Sequence, residues 1–430
     1  MRSVDSLSTS TLTPPPRRTA DRASPLRIAA FRRGWWPEAV AAASHDCILL
    51  PALPEATCFD ATLEQRIEHG RRVYQLLADG PVDLILDMYG DGMLFVDDPR
   101  THGMDALLHH ALGVPLISHW TETFRILFKE VSPELVQEAL QSRTWFKGVF
   151  TRAHLAEMEW MGVPGCFYLP LAADPVDYPI EPSPVDWSGP TVLFAGSQQS
   201  RYFSHAEGVD TRTQWPGLMA LAGVSDGSVT TFLDAYRRYG FGPCPAEAKS
   251  WFQRAEAVQR YYAAKQVYSA TRNLATRDRF VCSLSRRMGD DFLLIGHRRW
   301  RQAYGLNPRS RVDGDTYRDL VARTPICVSM VNGDNDTGLN LRPFEITALG
   351  GFLLAYHQPE LADFFEIGRE CESFSNETEL LDKIEYYSAH QAERDAIAQA
   401  GRARTSRDHQ LHHRLTAIVS QLCQYGQLPR

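Results

Sequence analysis

The sequence predicts an α/β protein made of two domains, each built on a parallel sheet. Three observations lead there. Short apolar runs bounded by polar loops alternate with segments of helical spacing, which is the pattern of βαβ units. The rhythm breaks between Asp174 and Pro190, where five prolines fall in 17 residues and continuous secondary structure is excluded. A second series of apolar runs then begins at Thr191. Two such domains facing each other leave a cleft, a natural place for a small molecule.

In order, residues 1–24 are rich in Ser, Thr, Pro and Arg without apolar period and read as a disordered tail. The first domain, 25–185, opens with the strand Pro25–Phe31, a loop around Arg33–Pro37 and a helix over Glu38–Ala43. Helical spacing covers Leu63–Leu77 and Met104–Leu112. Val82–Met88 and Val114–Ser118 are strands, each followed by polar residues. Val149–Thr151 is a further strand segment, the helix Ala153–Met161 comes next, and Cys166–Pro170 closes the series. The second domain, 186–405, starts with the strand Thr191–Ser197. It continues with a mainly helical stretch over 215–290 and strands at Phe292–Gly296, Ile326–Met330 and Phe352–Ala355. Helices at Thr316–Ala322, Glu377–Ala389 and Gln391–Arg404 complete it, and a last helix within 406–430, Leu411–Tyr425, is placed to cross back to the first domain.

Composition narrows the class of function. A 430-residue chain with 44% hydrophobic and 23% charged residues has material for two sizeable cores. A net charge of -7 argues against a nucleic-acid partner, and the arginines between Arg279 and Arg311 then read as a solvated face. No apolar run reaches the roughly 18 residues of a membrane span, and the N-terminus has no apolar core of the signal-peptide kind. Eight scattered cysteines without a C-x-x-C pair suggest reduced thiols in a cytoplasmic protein and no zinc site.

The most telling stretch runs from Thr337 to Leu354. Pro343 lacks an N–H and fits the first turn of a helix, Asn340 can cap that turn, and Gly350–Gly351 can end the helix. The N–H groups and the positive pole of such a helix suit a phosphate, and Arg342 adds a planar cation there. Glu345, one turn in, is placed to accept from ribose hydroxyls. The same pattern also serves an ordinary capped αβ unit.

Leu341–Glu345, Ala348, Gly350 and Gly351–Leu354, continued by Glu360–Leu361, Phe364–Phe365, Gly368 and Glu370, resemble spore-maturation-type (CgeB-like) glycosyltransferases of the GT-B superfamily. Upstream, Phe150–Thr151, Leu169–Pro175 and Phe194–Ser197 are similar to the domain-junction segments of that family. The resemblance implies two Rossmann-like domains facing across a cleft. It also implies a nucleotide-diphosphate sugar as donor substrate, held mainly by the C-terminal domain, with no cofactor. Within it, Glu345, Ala348 and Gly350 match the donor-ribose motif. Many retaining relatives carry a second Glu eight positions before that motif, where this chain has Thr337; the stereochemical outcome therefore stays open. The family's Trp-x-Asp run corresponds here to Trp120-Thr121-Glu122.

For the chemistry, Arg342, the helix pole and the loop amides near Gly338 are candidates to stabilise a leaving diphosphate. Base candidates are His119, Glu122, Asp87 and Asp91 at the C-terminal ends of first-domain strands, with His119 and Glu122 preferred. Donor contacts are expected from Thr337, Gly338, Asn340 and Glu345, from Gly296 and Tyr317 near the base, and from Ser197 and Arg201 in the first loop of the second domain. Asp313-Gly314-Asp315 and Asp334-Asn335-Asp336 resemble a D-x-D metal clamp, but turns have the same composition, and no metal is expected. The function read from the sequence is sugar transfer to an unidentified protein, glycan or small-molecule acceptor. The alternatives are a nucleotide-sugar epimerase on the same plan and a silent nucleotide-sugar-binding module.

Overall fold

The computed structural model of the chain describes residues 25–31, 36–53, 60–78, 80–88, 90–121, 130–174, 188–198, 211–310 and 312–428. The expected tail at 1–24 and most of the proline-rich segment lie outside these residues.

Six strands form the first sheet: β1 (Arg27–Phe31), β2 (Asp46–Leu50), β3 (Leu84–Met88), β4 (Leu116–Trp120), β5 (Trp145–Val149) and β6 (Cys166–Tyr168). All pair in parallel in the order β2-β1-β3-β4-β5-β6. The inner strands are buried along nearly their whole length, as a parallel sheet covered on both faces requires. Alternate residues supply two cores. Ala29, Phe31 and Ile85 face the helix Leu63–Ala78, whereas Ile28, Ala30, Leu84 and Leu86 face Leu411, Leu415, Ile418 and Leu422 of the helix Leu411–Gln424. The last helix of the chain therefore covers the first domain. Each of those four aliphatic side chains contributes roughly 1.5–3 kcal/mol by leaving water. Arg414 fixes the crossing by donating to the carbonyls of Pro170 and Leu171, each at 3.0 Å.

The second sheet contains β7 (Val192–Ala195), β8 (Phe292–Ile295), β9 (Ile326–Ser329), β10 (Leu353–Tyr356) and β11 (Glu372–Phe374). Its order is β11-β10-β9-β7-β8, again parallel. Two parallel sheets of Rossmann-like type, one per domain, match the expected architecture.

Several elements depart from their expected course. Helix 104–112 is split at extended Leu107 into a 3₁₀ turn, Gly103–Ala106, and the helix Leu108–Leu112. Strand β5 begins at Trp145, ahead of the expected segment. Its central Lys147 hides the apolar pattern, yet is buried with its ammonium on the carbonyls of Leu140 (2.8 Å), Pro164 (3.1 Å) and Ser142 (3.2 Å). Burial lowers that ammonium's pKa to about 7.

The larger departure is the helical stretch assigned to the second domain. The helices Thr211–Ser225, Phe232–Arg238 and Trp251–Asn273 are inserted between β7 and β8 but pack on the first domain. Phe232, Tyr236, Tyr261 and Tyr268 share one core with Trp120, Trp145 and Met158. Lys265 forms a buried ion pair with Glu157, and Arg254 donates to the carbonyls of Met161 and Gly162. The insertion thus belongs to one domain by sequence and to the other by packing.

Candidate functional site

In the second sheet the strand order reverses between β7 and β9, so the loops leaving these two strands run apart. Ligands of open α/β sheets bind in the crevice at such a switch point, beyond the carboxyl ends of the strands. The loops concerned are Gly196–Gln198 after β7 and Met330–Leu341 after β9. Most of the expected donor residues fall here or beside it.

Three of them meet. Arg342 pairs with Glu345 at 2.5 Å, and its guanidinium lies 4.7 Å from the centre of the Tyr317 ring. The Tyr317 hydroxyl is 3.5 Å from the same Glu345 oxygen. Burial raises the pKa of this phenol. Helix Gly314–Arg323, capped by Asp313 accepting from the Thr316 N–H at 2.9 Å, holds Tyr317 in place. Glu345 and Arg342 belong to the helix Arg342–Ala348. Both remain partly open to solvent, with side chains 23% and 37% exposed. A partly exposed carboxylate and two stacked planar groups can receive a nucleoside: hydroxyls on the carboxylate, a base on the planes.

The helix pole offers less than the sequence suggests. The helix starts at Arg342, with Leu341 in helical conformation before it. The Arg342 N–H is taken by the Asn340 side chain at 3.2 Å, and Pro343 has none. Two of the first donors are therefore closed to an anion. Gly350, with φ of 76°, ends the helix as expected.

Thr337 and Gly338 are turned to the domain interface. The Thr337 hydroxyl donates to Glu360 at 2.5 Å and accepts from the Ala153 N–H at 3.2 Å. Glu360, almost wholly buried, also accepts from the Arg152 N–H (2.9 Å) and the Tyr168 hydroxyl (2.7 Å). A Cβ on Gly338 would lie 2.5 Å from Thr151 Cγ2, so this glycine permits the close approach of the two domains. Gly296 plays a similar part, since a Cβ there would meet the Gly196 carbonyl at 2.5 Å. Ser197 is exposed in the β7 loop. Arg201 and Glu122 lie outside the described residues.

The described first-domain base candidates, His119, Asp87 and Asp91, are enclosed. His119, placed at the cleft by its strand-end position, instead points into the core beneath the C-terminal helix. It is fully buried, 5.7 Å from the Trp36 ring, with Nε2 at 3.0 Å from the Leu169 carbonyl. Burial lowers its pKa to about 4, so it is a neutral core histidine. Asp87 is buried beside Asp91. Its Oδ2 accepts from the Gly92 N–H at 2.5 Å, and burial, aided by the Asp91 charge, raises its pKa to about 7.

Neither D-x-D run is arranged as a clamp. Asp313 is the helix cap noted above. Asp336 is buried and accepts from the Tyr268 hydroxyl (2.6 Å), the Phe232 N–H (2.9 Å) and Arg272 (3.0 Å). Asn273 Oδ1 accepts from the Gly333 N–H at 3.0 Å. The insertion thus holds the β9 loop. The readable cue was the acidic run 334–336; the partners of Asp336 lie 64, 68 and 104 residues upstream, beyond any local pattern.

Residues 272–420 match a family model described as glycosyl transferase-like. No curated protein matches the chain in sequence. Among solved structures it is similar to the sucrose-phosphate synthase of Thermosynechococcus elongatus, at 12% identity and TM-score 0.48 over 93% of this chain and 99% of that one. It is also similar to Anabaena HepE in complex with UDP and glucose, at 10% identity and TM-score 0.44 over 93% and 100%. A third is an α,α-trehalose-phosphate synthase (UDP-forming) from Burkholderia vietnamiensis, at 11% identity and TM-score 0.45 over 93% and 100%. The segment matched by the family model covers the greater part of the second domain. Among the described residues no helix is long and apolar enough to cross a membrane.

Proposed function

We propose that this chain is a glycosyltransferase of the spore-maturation (CgeB-like) type. It moves a sugar from a nucleotide-diphosphate donor to a hydroxyl of a protein, glycan or small-molecule acceptor. The observation that carries the reading is the half-open Tyr317–Arg342–Glu345 cluster inside the segment that matches the glycosyl transferase-like family. Glu345 accepts the ribose hydroxyls, and Tyr317 and Arg342 border the base. In the reaction the acceptor oxygen bonds to the anomeric carbon as the bond to the diphosphate breaks. The leaving charge then needs cations, and the acceptor proton needs a base. Glu122 remains the base this reading favours, because His119 and Asp87 are closed in. The engagement of Asp313 and Asp336 within the protein supports transfer without a bound metal. Cysteines without disulfides among the described residues fit a cytoplasmic location.

A silent nucleotide-sugar-binding module is the second reading, favoured by Thr337 being spent on Glu360 where many relatives have a carboxylate. Incubation with a panel of UDP-, GDP- and dTDP-sugars, with and without acceptor extracts, decides between them. Acceptor-dependent release of nucleoside diphosphate with a glycosylated product supports transfer. Release of free sugar without an acceptor points to an epimerase, and binding without turnover to the silent module.

A further inference from the structure

Arg277 is the most unusual charged group in the second domain. Its residue is 5% exposed, and among the described residues it has no carboxylate within ion-pair distance. Nη1 donates to the Asn332 side chain, Nε has no partner, and the guanidinium lies 5.4 Å from the centre of the Phe194 ring. With only the more distant charges of Asp278 and Asp334 to offset it, a buried cation is costly to fold and calls for a reason. Burial lowers its pKa only to about 10, so it stays charged at neutral pH.

Its position supplies that reason. Phe194 is in β7 and Asn332 is in the loop after β9, so Arg277 sits between the two strands that flank the switch point. The neighbouring Gly196 makes room for it, since a Cβ there would overlap Arg277 Nη2. The helix that carries Arg277 is deformed at this place. Between Trp251–Asn273 and Arg279–Met288 the chain makes a π turn over Leu274–Asp278. One extra residue in a turn rotates the helix beyond it by about 100°, and such turns recur at functional sites. The turn buries Arg277 and Asp278 together, with Asp278 taken by the Gln198 amide (3.1 Å) and the Tyr304 hydroxyl (2.8 Å). Arg342 is less suited to hold a leaving group, being paired with Glu345 and stacked on Tyr317.

Resting on the donor reading above, we propose that Arg277, delivered by the π turn at the end of the inserted helices, binds the diphosphate of the donor, while Arg342 serves the nucleoside. The guanidinium keeps Asn332 on one edge and presents its remaining N–H groups to phosphate oxygens. The sequence hides this role, because Arg277 lies about 80 residues after the β7 loop that it serves.

The test is calorimetric titration of the full chain with UDP, GDP, ADP and CDP and with the matching nucleosides. Wild type, Arg277→Met, Arg277→Lys, Gly196→Ala and Glu345→Ala are compared. Arg277→Met should weaken the nucleoside diphosphate that binds wild type at least about tenfold, change nucleoside affinity less than about twofold, and leave the ligand-free melting temperature equal or higher. Arg277→Lys should recover part of the loss, and Gly196→Ala should resemble Arg277→Met. Diphosphate affinity unchanged in Arg277→Met, with Glu345→Ala impaired, overturns the assignment and leaves the donor reading standing. A lower melting temperature with equal losses for diphosphate and nucleoside makes Arg277 structural and also overturns it. If neither these four diphosphates nor dTDP binds wild type, the donor reading fails and this inference with it.

Discussion

The candidate residues of the two domains are treated in opposite ways, enclosed at the strand ends of the first sheet and left open on two helices beside the second. In the first domain Asp87, Asp91, Ser118 and His119 are all buried: Asp87 accepts from the Gly92 N–H beside the charge of Asp91, Ser118 accepts from the Trp145 indole, and His119 lies on the Leu169 carbonyl. In the second, Tyr317, Arg342 and Glu345 stay half-open. A polar residue after an apolar strand marks a candidate site in either domain, but what covers it decides its role. For His119 the cover is a helix nearly 300 residues later in the chain. The closed groups should therefore govern stability and its pH dependence, and the open ones ligand binding.

Four substitutions sharpen or break that contrast. The largest effect is expected from Lys265→Met, which leaves Glu157 buried and unpaired between the insertion and the first domain. It should cost about 3–5 kcal/mol in denaturant unfolding, and Lys265→Met combined with Glu157→Met should restore most of it. A loss below about 1 kcal/mol would show that the insertion is not anchored there.

Asp87→Asn comes next. The folded pKa of Asp87, about 7, exceeds the ordinary 3.8. Its stabilising contribution is therefore complete below that ordinary value and lost as pH rises through 7, an effect of about 4 kcal/mol. The amide variant should melt above wild type at pH 8 and converge with it near pH 4. Parallel melting profiles would mean that the carboxyl is ionised and solvated in the folded protein.

His119→Gln tests the same enclosure with the opposite sign. The folded pKa, about 4, lies below the ordinary 6.5, so the histidine's contribution is full above 6.5 and lost as pH falls through 4. The variant should lose roughly 1–3 kcal/mol at pH 7, less at pH 4, with nucleotide affinity unchanged. Loss of affinity with stability intact would return His119 to the cleft. The smallest effect belongs to Thr337→Val, which removes the bonds to Glu360 and from Ala153 and should cost about 1 kcal/mol without altering nucleotide affinity.

Much of the architecture was readable because parallel strands are continuous apolar runs and their helices are capped by local chemistry. Glu377–Ala389, capped by Asn376, begins and ends where its periodicity says. Short edge strands such as β2 and β11 lack that signal, and Lys147 disguises β5. In the candidate cluster, Arg342 and Glu345 stood out from the helix start that carries them, whereas their meeting with Tyr317 is visible only in the fold. Arg277, Asp336 and Glu360 were not legible, since their roles arise only when the insertion and the two domains come together.

The most direct test of the central claim is a calorimetric titration of wild type and Glu345→Ala with a panel of nucleoside diphosphates. The account predicts that wild type binds one of them, that Glu345→Ala binds it at least about tenfold more weakly, and that both proteins melt at similar temperatures. Equal affinity in the two proteins would remove the Tyr317–Arg342–Glu345 cluster from the donor site and contradict the account.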